Sequence, residues 1–179
     1  MAYLQSENLN EFKKVMKIGI TGHQKIEDPK NWNWVKLEFN KIFAQSPKPF
    51  TGVTSLAIGA DQLFAETALE YGGSLTVIIP FNGYEFKFSE GEDRQKYHCI
   101  LDKATTVNIL PRMASDEESY FEAGKKVVDL VDFLVAVWDG KPSRGLGGTA
   151  DVVKYAKQCH KKIVHLNPII CTVSELEDI

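Results

Sequence analysis

The chain has 179 residues, 44% of them hydrophobic, enough for one domain with a substantial core and too few for two full-sized domains. A formal net charge of −3 and a pI near 5.8 provide no global basic field, which excludes duplex nucleic acid from the expected partners and favours a small molecule. Cys99, Cys159 and Cys171 lack CxxC spacing, so neither a disulfide framework nor a zinc site is expected, and a cytoplasmic setting fits best.

Residues 1–14 are polar and aperiodic and read as an N-terminal arm, with 15–179 as a single domain. They carry no basic-then-apolar leader, and no apolar run approaches the roughly 20 residues that span a bilayer, so no membrane partner is expected. Residues 15–21 (VMKIGIT) form a β-rich run that stops at Gly22-His23-Gln24, a first strand with its loop. After the Asp28-Pro29 turn signal, Trp32, Val35, Leu37, Phe39, Ile42 and Phe43 recur at roughly helical spacing and predict a helix over 31–45. Ser46-Pro47-Lys48-Pro49 breaks it, and 53–58 (VTSLAI) predicts a second strand running into Gly59-Ala60-Asp61. Asp61 is placed to cap or charge the first turn of a helix over 62–71, with Gly72-Gly73 as its stop. The uninterrupted apolar run 75–79 (LTVII) suits a strand covered on both faces of a parallel sheet.

Pro80 opens an aromatic loop containing Phe81 and Tyr84, followed by a helix over 90–104 and a fourth strand over 105–110 ending at Pro111-Arg112. Ser115 with Glu118 three residues on forms a capping box for a helix reaching 131. A fifth strand over 133–138, a glycine-rich break and a helix over 150–158 come next, then a last strand over 163–166 and an acidic tail over 172–179. Strand–helix alternation with short connections predicts a single-domain α/β fold, a Rossmann-like doubly wound, mainly parallel sheet with helices on both faces. Such sheets bind ligands outside the carboxyl ends of the strands, where strand order reverses.

The strand-end loops nominate Gly22, His23, Gln24, Gly59, Ala60, Asp61, Pro80, Phe81, Tyr84, Arg112, Asp139, Gly145, Gly147, Gly148 and Thr149 as ligand-binding residues. Gly145-Leu146-Gly147-Gly148-Thr149 precedes a helix, where bare amides and the helix dipole receive an anion; the plain alternative is a flexible connector. It has no Walker A ending, and the dinucleotide fingerprint belongs to the first strand–helix turn, where Gly22-His23-Gln24 has other spacing. His23 is a phosphate donor or acid/base group, or a loop histidine satisfied by backbone. Phe81 and Tyr84 stack on a base or form a hydrophobic lid. Arg112 is a phosphate fork or a solvated arginine. Asp139 is a turn residue or a ligand contact; Asp151 is a helix-dipole partner or an acceptor for a ribose hydroxyl, and Asp61 invites the same pair of readings beside its capping role. His98, His160 and His165 lack ligand spacing, so no metal is expected, and no motif calls for a cofactor.

ITGHQ after the first strand, LAIGADQLFAETAL after the second, VIIPF with a following Tyr, and DFLVAVWDG…GLGGTADVVKYA together resemble the SLOG superfamily over residues 17–166. The resemblance implies a nucleotide-binding Rossmann-like fold, shared with the Lonely guy phosphoribohydrolases and the DNA-processing protein A family, and pairing into a homodimer. Lonely guy enzymes carry Pro-Gly-Gly-x-Gly-Thr-x-x-Glu. Aligning Gly148-Thr149 on that Gly-Thr puts Val152 at the catalytic Glu, and the catalytic Arg-Lys pair falls on Ala123 and Gly124. The leading expectation is therefore binding or sensing of a nucleotide or nucleotide-derived metabolite, with phosphate on 145–149 and the base near Phe81 and Tyr84. The alternative is an N-glycosidic hydrolase or deoxyribosyltransferase using a displaced carboxylate, with Asp61, Asp139 and Asp151 as catalytic candidates; whether the protein is an enzyme stays open. Single-stranded nucleic acid ranks last, for want of a basic stripe.

Overall fold

The computed structural model describes residues 14–143 and 145–176. Of the N-terminal arm only Lys14 falls inside that range; its ammonium pairs with Asp132 at 2.6 Å. In chain order the elements are β1 (Met16–Gly22), α1 (Asn31–Gln45), β2 (Phe50–Thr54), α2 (Ala60–Glu70) and β3 (Ser74–Ile79). A 3₁₀ turn (Tyr84–Lys87), α3 (Glu92–Leu101), β4 (Thr106–Ile109), α4 (Asp116–Leu130) and β5 (Phe133–Val137) follow, then α5 (Thr149–Gln158), β6 (Lys162–Asn167) and β7 (Thr172–Leu176).

The strands form one sheet in the order β4-β3-β2-β1-β5-β6-β7, parallel except for β7. The chain winds outward from β1 to β4, returns to β5 on the other side of β1, and winds outward again. Strand order therefore reverses between β1 and β5, which pair in parallel with Gly22 opposite Val137. This is the Rossmann-like α/β fold, and the reversal fixes where a ligand crevice opens.

Alternation along the strands feeds two cores. Val135 and Val137 of β5 join a core with Val35, Phe39 and Phe43 of α1 and Phe64, Ala65 and Ala68 of α2. Phe43 stacks on Phe50 at 5.2 Å and leans on Phe64 at 5.1 Å. Leu134 and Ala136 go to the opposite core, under Val127 and Val128 of α4 and Val152, Val153 and Ala156 of α5.

Two stretches depart from the sequence reading. The second strand ends at Thr54 instead of continuing to 58, because Leu56 takes a left-handed backbone (φ +56°) and is fully buried in the first core. The apolar Leu56-Ala57-Ile58 is thus a core-filling turn. Of the acidic tail, 177–179 lie outside the described residues and 172–176 form β7, antiparallel to β6. Its Glu175 pairs with Lys162 at 2.7 Å, so acidic side chains along an edge hide a strand that composition reads as tail.

Candidate functional site

Backbone proximity builds the floor of the site. A Cβ on Gly22 would lie 2.5 Å from the Cβ of Ala60 and 2.9 Å from that of Val137, and one on Gly59 (φ +85°) would lie 2.5 Å from the Gln24 carbonyl oxygen. Ala60 N–H donates to the His23 carbonyl at 3.1 Å, and His23 N–H to that of Val137 at 3.0 Å. The ends of β1 and β5 and the start of α2 are thereby fastened together, and only glycine fits at 22 and 59. Gly22 borders the crevice; Gly59 and Ala60 support it from behind.

Above this floor, at the carboxyl ends of β1 and β5, opens a crevice of about 1050 Å³. It is large enough for a nucleotide-sized ligand. Gly148 precedes α5 without a side-chain cap hydrogen bond, and Thr149 and Ala150 of the first turn, where helical N–H groups have no intrahelical partner, border the crevice. Gly147 (φ +83°) sits so close to α4 that a Cβ would lie 2.6 Å from the Glu117 carbonyl oxygen. Its N–H already donates to Asp151 Oδ2 at 3.0 Å. Asp151 therefore braces the loop through its own helix's first turn and is not among the crevice-lining residues. Ser143, against Gly148, presents a buried hydroxyl without a hydrogen-bond partner among the described residues. Gly145 lies outside the lining.

The opposite end is set by Asp61. Rather than capping α2, its carboxyl reaches back to the end of β2, where Oδ2 accepts Thr54 Oγ1–H and Ser55 N–H, each at 3.0 Å. Only 6% of the residue is exposed. Burial raises its pKa from 3.8 to about 6, against the opposing pulls of the Ser55 amide, the Thr54 hydroxyl and the Ala57 amide. A perturbed carboxyl in a cleft is a functional-site signal. Tyr84, beside it, has its phenol raised well above the ordinary value by burial first and then by the Asp61 charge.

Between the two ends, Asp139 N–H donates to His23 Nε2 at 3.1 Å, and Asp139 Oδ1 lies 3.2 Å from the same nitrogen. One nitrogen cannot serve both partners at once: without a proton Nε2 accepts the amide N–H, and carrying one it donates to the carboxylate. Burial pushes the Asp139 carboxyl upward, but the Lys141 amide and the His23 ring outweigh it and hold the pKa below its ordinary value.

The crevice gathers Gly22, His23, Gln24, Asp61, Pro80, Tyr84, Asp139, Gly147, Gly148 and Thr149. Phe81 is 1% exposed, edge-on to Tyr84. The Arg112 guanidinium covers the Phe81 ring at 4.4 Å and pairs with Asp116, away from the crevice. The sequence reading missed Tyr120 and Gly124 of α4, as well as Ser55, Lys25 and Lys141. The spacing of four between Tyr120 and Gly124 would have put them on one face of α4. Val152 also borders the crevice, and a Cβ on Gly124 would lie 2.5 Å from Val152 Cγ2. Two of the three positions that the resemblance aligns with Lonely guy catalytic residues, Gly124 and Val152, are thus packed against each other as an apolar contact.

No family model matches the chain, and no curated protein matches it. Solved structures do. DNA processing protein A from Helicobacter pylori aligns with a TM-score of 0.60 at 16% identity, over 85% of this chain and 65% of that one. DNA processing protein A from Streptococcus pneumoniae aligns at 0.61 and 12% identity, over 86% and 51%. The molybdenum cofactor binding protein from Rippkaea orientalis aligns at 0.56 and 16% identity, over 87% and 78%. At 12–16% identity the likeness is one of fold, the same α/β arrangement of sheet and helices. This chain spans about two thirds and about half of the two DNA processing proteins.

The comparison corrects the partner expectation. The Helicobacter protein's structure concerns a single-stranded DNA binding mode, and it carries this fold. An acidic pI and the lack of a basic stripe therefore do not justify setting single-stranded nucleic acid aside for a chain with this fold. Among the described residues no helix is long and apolar enough to cross a membrane.

Proposed function

We propose that the crevice binds one nucleotide unit, presented either as a free nucleotide or within single-stranded nucleic acid, with its phosphate against the first turn of α5. The observation that carries this is the pairing of uncapped Thr149 and Ala150 amides at one end with the Asp61 carboxyl at the other, across a crevice of about 1050 Å³ at the strand-order reversal. A phosphate suits main-chain donors and a helix dipole, and the sugar and base then extend towards Asp61 and Tyr84. The setting is the cytoplasm, in keeping with free Cys99, Cys159 and Cys171.

Binding is preferred over hydrolysis because the Gly124–Val152 contact replaces the Lonely guy catalytic groups with apolar packing. N-glycosidic cleavage is a second reading, favoured by Asp61 alone: a carboxyl titrating near 6 in a crevice suits acid–base work. Release of free base from nucleoside monophosphates, abolished by Asp61→Asn, would support it.

Calorimetry on the full chain with AMP, ADP, cyclic AMP, ADP-ribose and a short oligo-dT separates the two sources of the unit. Saturable binding competed by inorganic phosphate is expected for at least one of them. No binding of any at millimolar concentration overturns the reading.

A further inference from the structure

The Asp61 carboxyl does more than its internal contacts require. Leu56 N–H donates to Thr54 Oγ1 at 3.0 Å, and Thr54 Oγ1–H and Ser55 N–H both donate to Asp61 Oδ2. This relay ties the end of β2 to the first turn of α2 and needs only a neutral oxygen at Oδ2. An amide side chain would supply that oxygen as well as a carboxylate does. Among the described residues no cation pairs with Asp61, although burial makes its charge costly. The charge is therefore unexplained by the fold, and the residue that carries it borders the crevice.

The relay also fixes which oxygen is free. Ser55 N–H can only donate, so Oδ2 is held as its acceptor alongside Thr54; with the Ala57 amide also drawing on the carboxylate, Oδ1 still keeps acceptor capacity for a ligand. We propose that Asp61 selects the ligand of the crevice, its Oδ1 accepting a hydroxyl of a phosphorylated ribose-type sugar whose phosphate lies at the start of α5. This rests on the nucleotide reading above and names the part of the nucleotide that is recognised. A hydroxyl fits better than an amine, because one free oxygen satisfies one O–H, whereas an ammonium would bring further donors to a largely buried spot.

The relay gives the substitution Asp61→Asn an unusually clear meaning. Ser55 N–H forces the amide oxygen into the Oδ2 position, so the NH₂ takes the Oδ1 position. The crevice then presents a donor where it presented an acceptor, while the Thr54 and Ser55 hydrogen bonds to the Oδ2 position are kept. Protonation of Asp61 has the same effect, since the proton goes to Oδ1.

The test is calorimetry of the full chain at pH 7.5 with AMP, 2′-deoxy-AMP and 3′-deoxy-AMP. At least one deoxy analogue is expected to bind wild type about tenfold or more weakly than AMP, the scale of one hydrogen bond to a charged group. In Asp61→Asn the preference should collapse through loss of AMP affinity, with no fall in melting temperature. A wild-type arm at pH 5 needs no variant and should shrink the same ratio. His23, Lys25, Glu27, Asp139 and Lys141 line the same crevice, and any change in their charge acts on the phosphate common to all three ligands, so the ratio isolates Asp61; Tyr84 and Tyr120, both pushed up by burial, remain neutral throughout. Equal binding of the three ligands to wild type, or an unchanged ratio in Asp61→Asn, overturns the proposal while leaving nucleotide binding intact. Failure of AMP and both analogues to bind wild type overturns the proposal and counts against the nucleotide reading as well.

Discussion

The two ends of the crevice are made from different material. At the α5 end the recognition groups are main-chain N–H donors, set by where a helix begins and by glycines that let the loop lie against α4. At the Asp61 end the group is one side-chain acceptor, held by a relay from Thr54 and Ser55 and largely shut off from solvent. Main-chain donors are insensitive to side-chain replacement and read charge, whereas a buried carboxyl is removed by a single substitution and changes its role with pH. The contrast suggests a division of labour, with affinity for phosphate at one end and discrimination among sugars at the other.

The largest effect should come from the floor the two ends share. Gly59→Ala places a Cβ against the Gln24 carbonyl in a left-handed backbone, and is expected to cost about 3 kcal/mol or more and to degrade both ends together. Chemical denaturation of the variant measures it. The next effect is confined to one end. Because the folded Asp61 pKa is raised from 3.8 to about 6, the native state holds this proton more tightly than the unfolded chain does. The group's contribution to stability should therefore be full below about pH 4 and fall as pH rises to about 6, by roughly 2–3 kcal/mol. Asp61→Asn should remove that slope, which paired pH-dependent unfolding curves would reveal.

A smaller effect tests whether the ends act separately. Ala150→Asp sets a carboxylate at the N-terminus of α5, where the helix tolerates it but a phosphate does not, and AMP binding should weaken about tenfold. Combined with Asp61→Asn the losses should add within about 0.5 kcal/mol if the ends are independent. Calorimetry of the double variant decides this. The smallest effect belongs outside the crevice: Arg112→Ala should leave AMP affinity within about twofold of wild type, since Arg112 is engaged by Phe81 and Asp116. A large loss there would move the phosphate away from α5.

The doubly wound fold was legible because apolar runs such as 75–79 and 133–138 and the Ser115 capping box report local periodicity, which parallel sheets preserve. The loops that meet at the β1/β5 reversal were legible for the same reason. What was not legible lies in contacts distant along the chain. Nothing local shows that Gly22 and Gly59 are glycines because β1, β5 and α2 converge there, or that Arg112 is held over Phe81. Asp61 looks like a helix-start acid until the backward reach to Ser55 is seen. Gly124 and Val152, 28 positions apart, read separately as missing catalytic residues, and only in space are they one packed contact.

A crystal structure of the full chain with AMP tests the central claim most directly. The account predicts the phosphate within hydrogen-bond distance of the Thr149 and Ala150 amides and a ribose hydroxyl on Asp61 Oδ1. A nucleotide bound elsewhere on the molecule, or in the crevice with its phosphate turned away from α5, would contradict it.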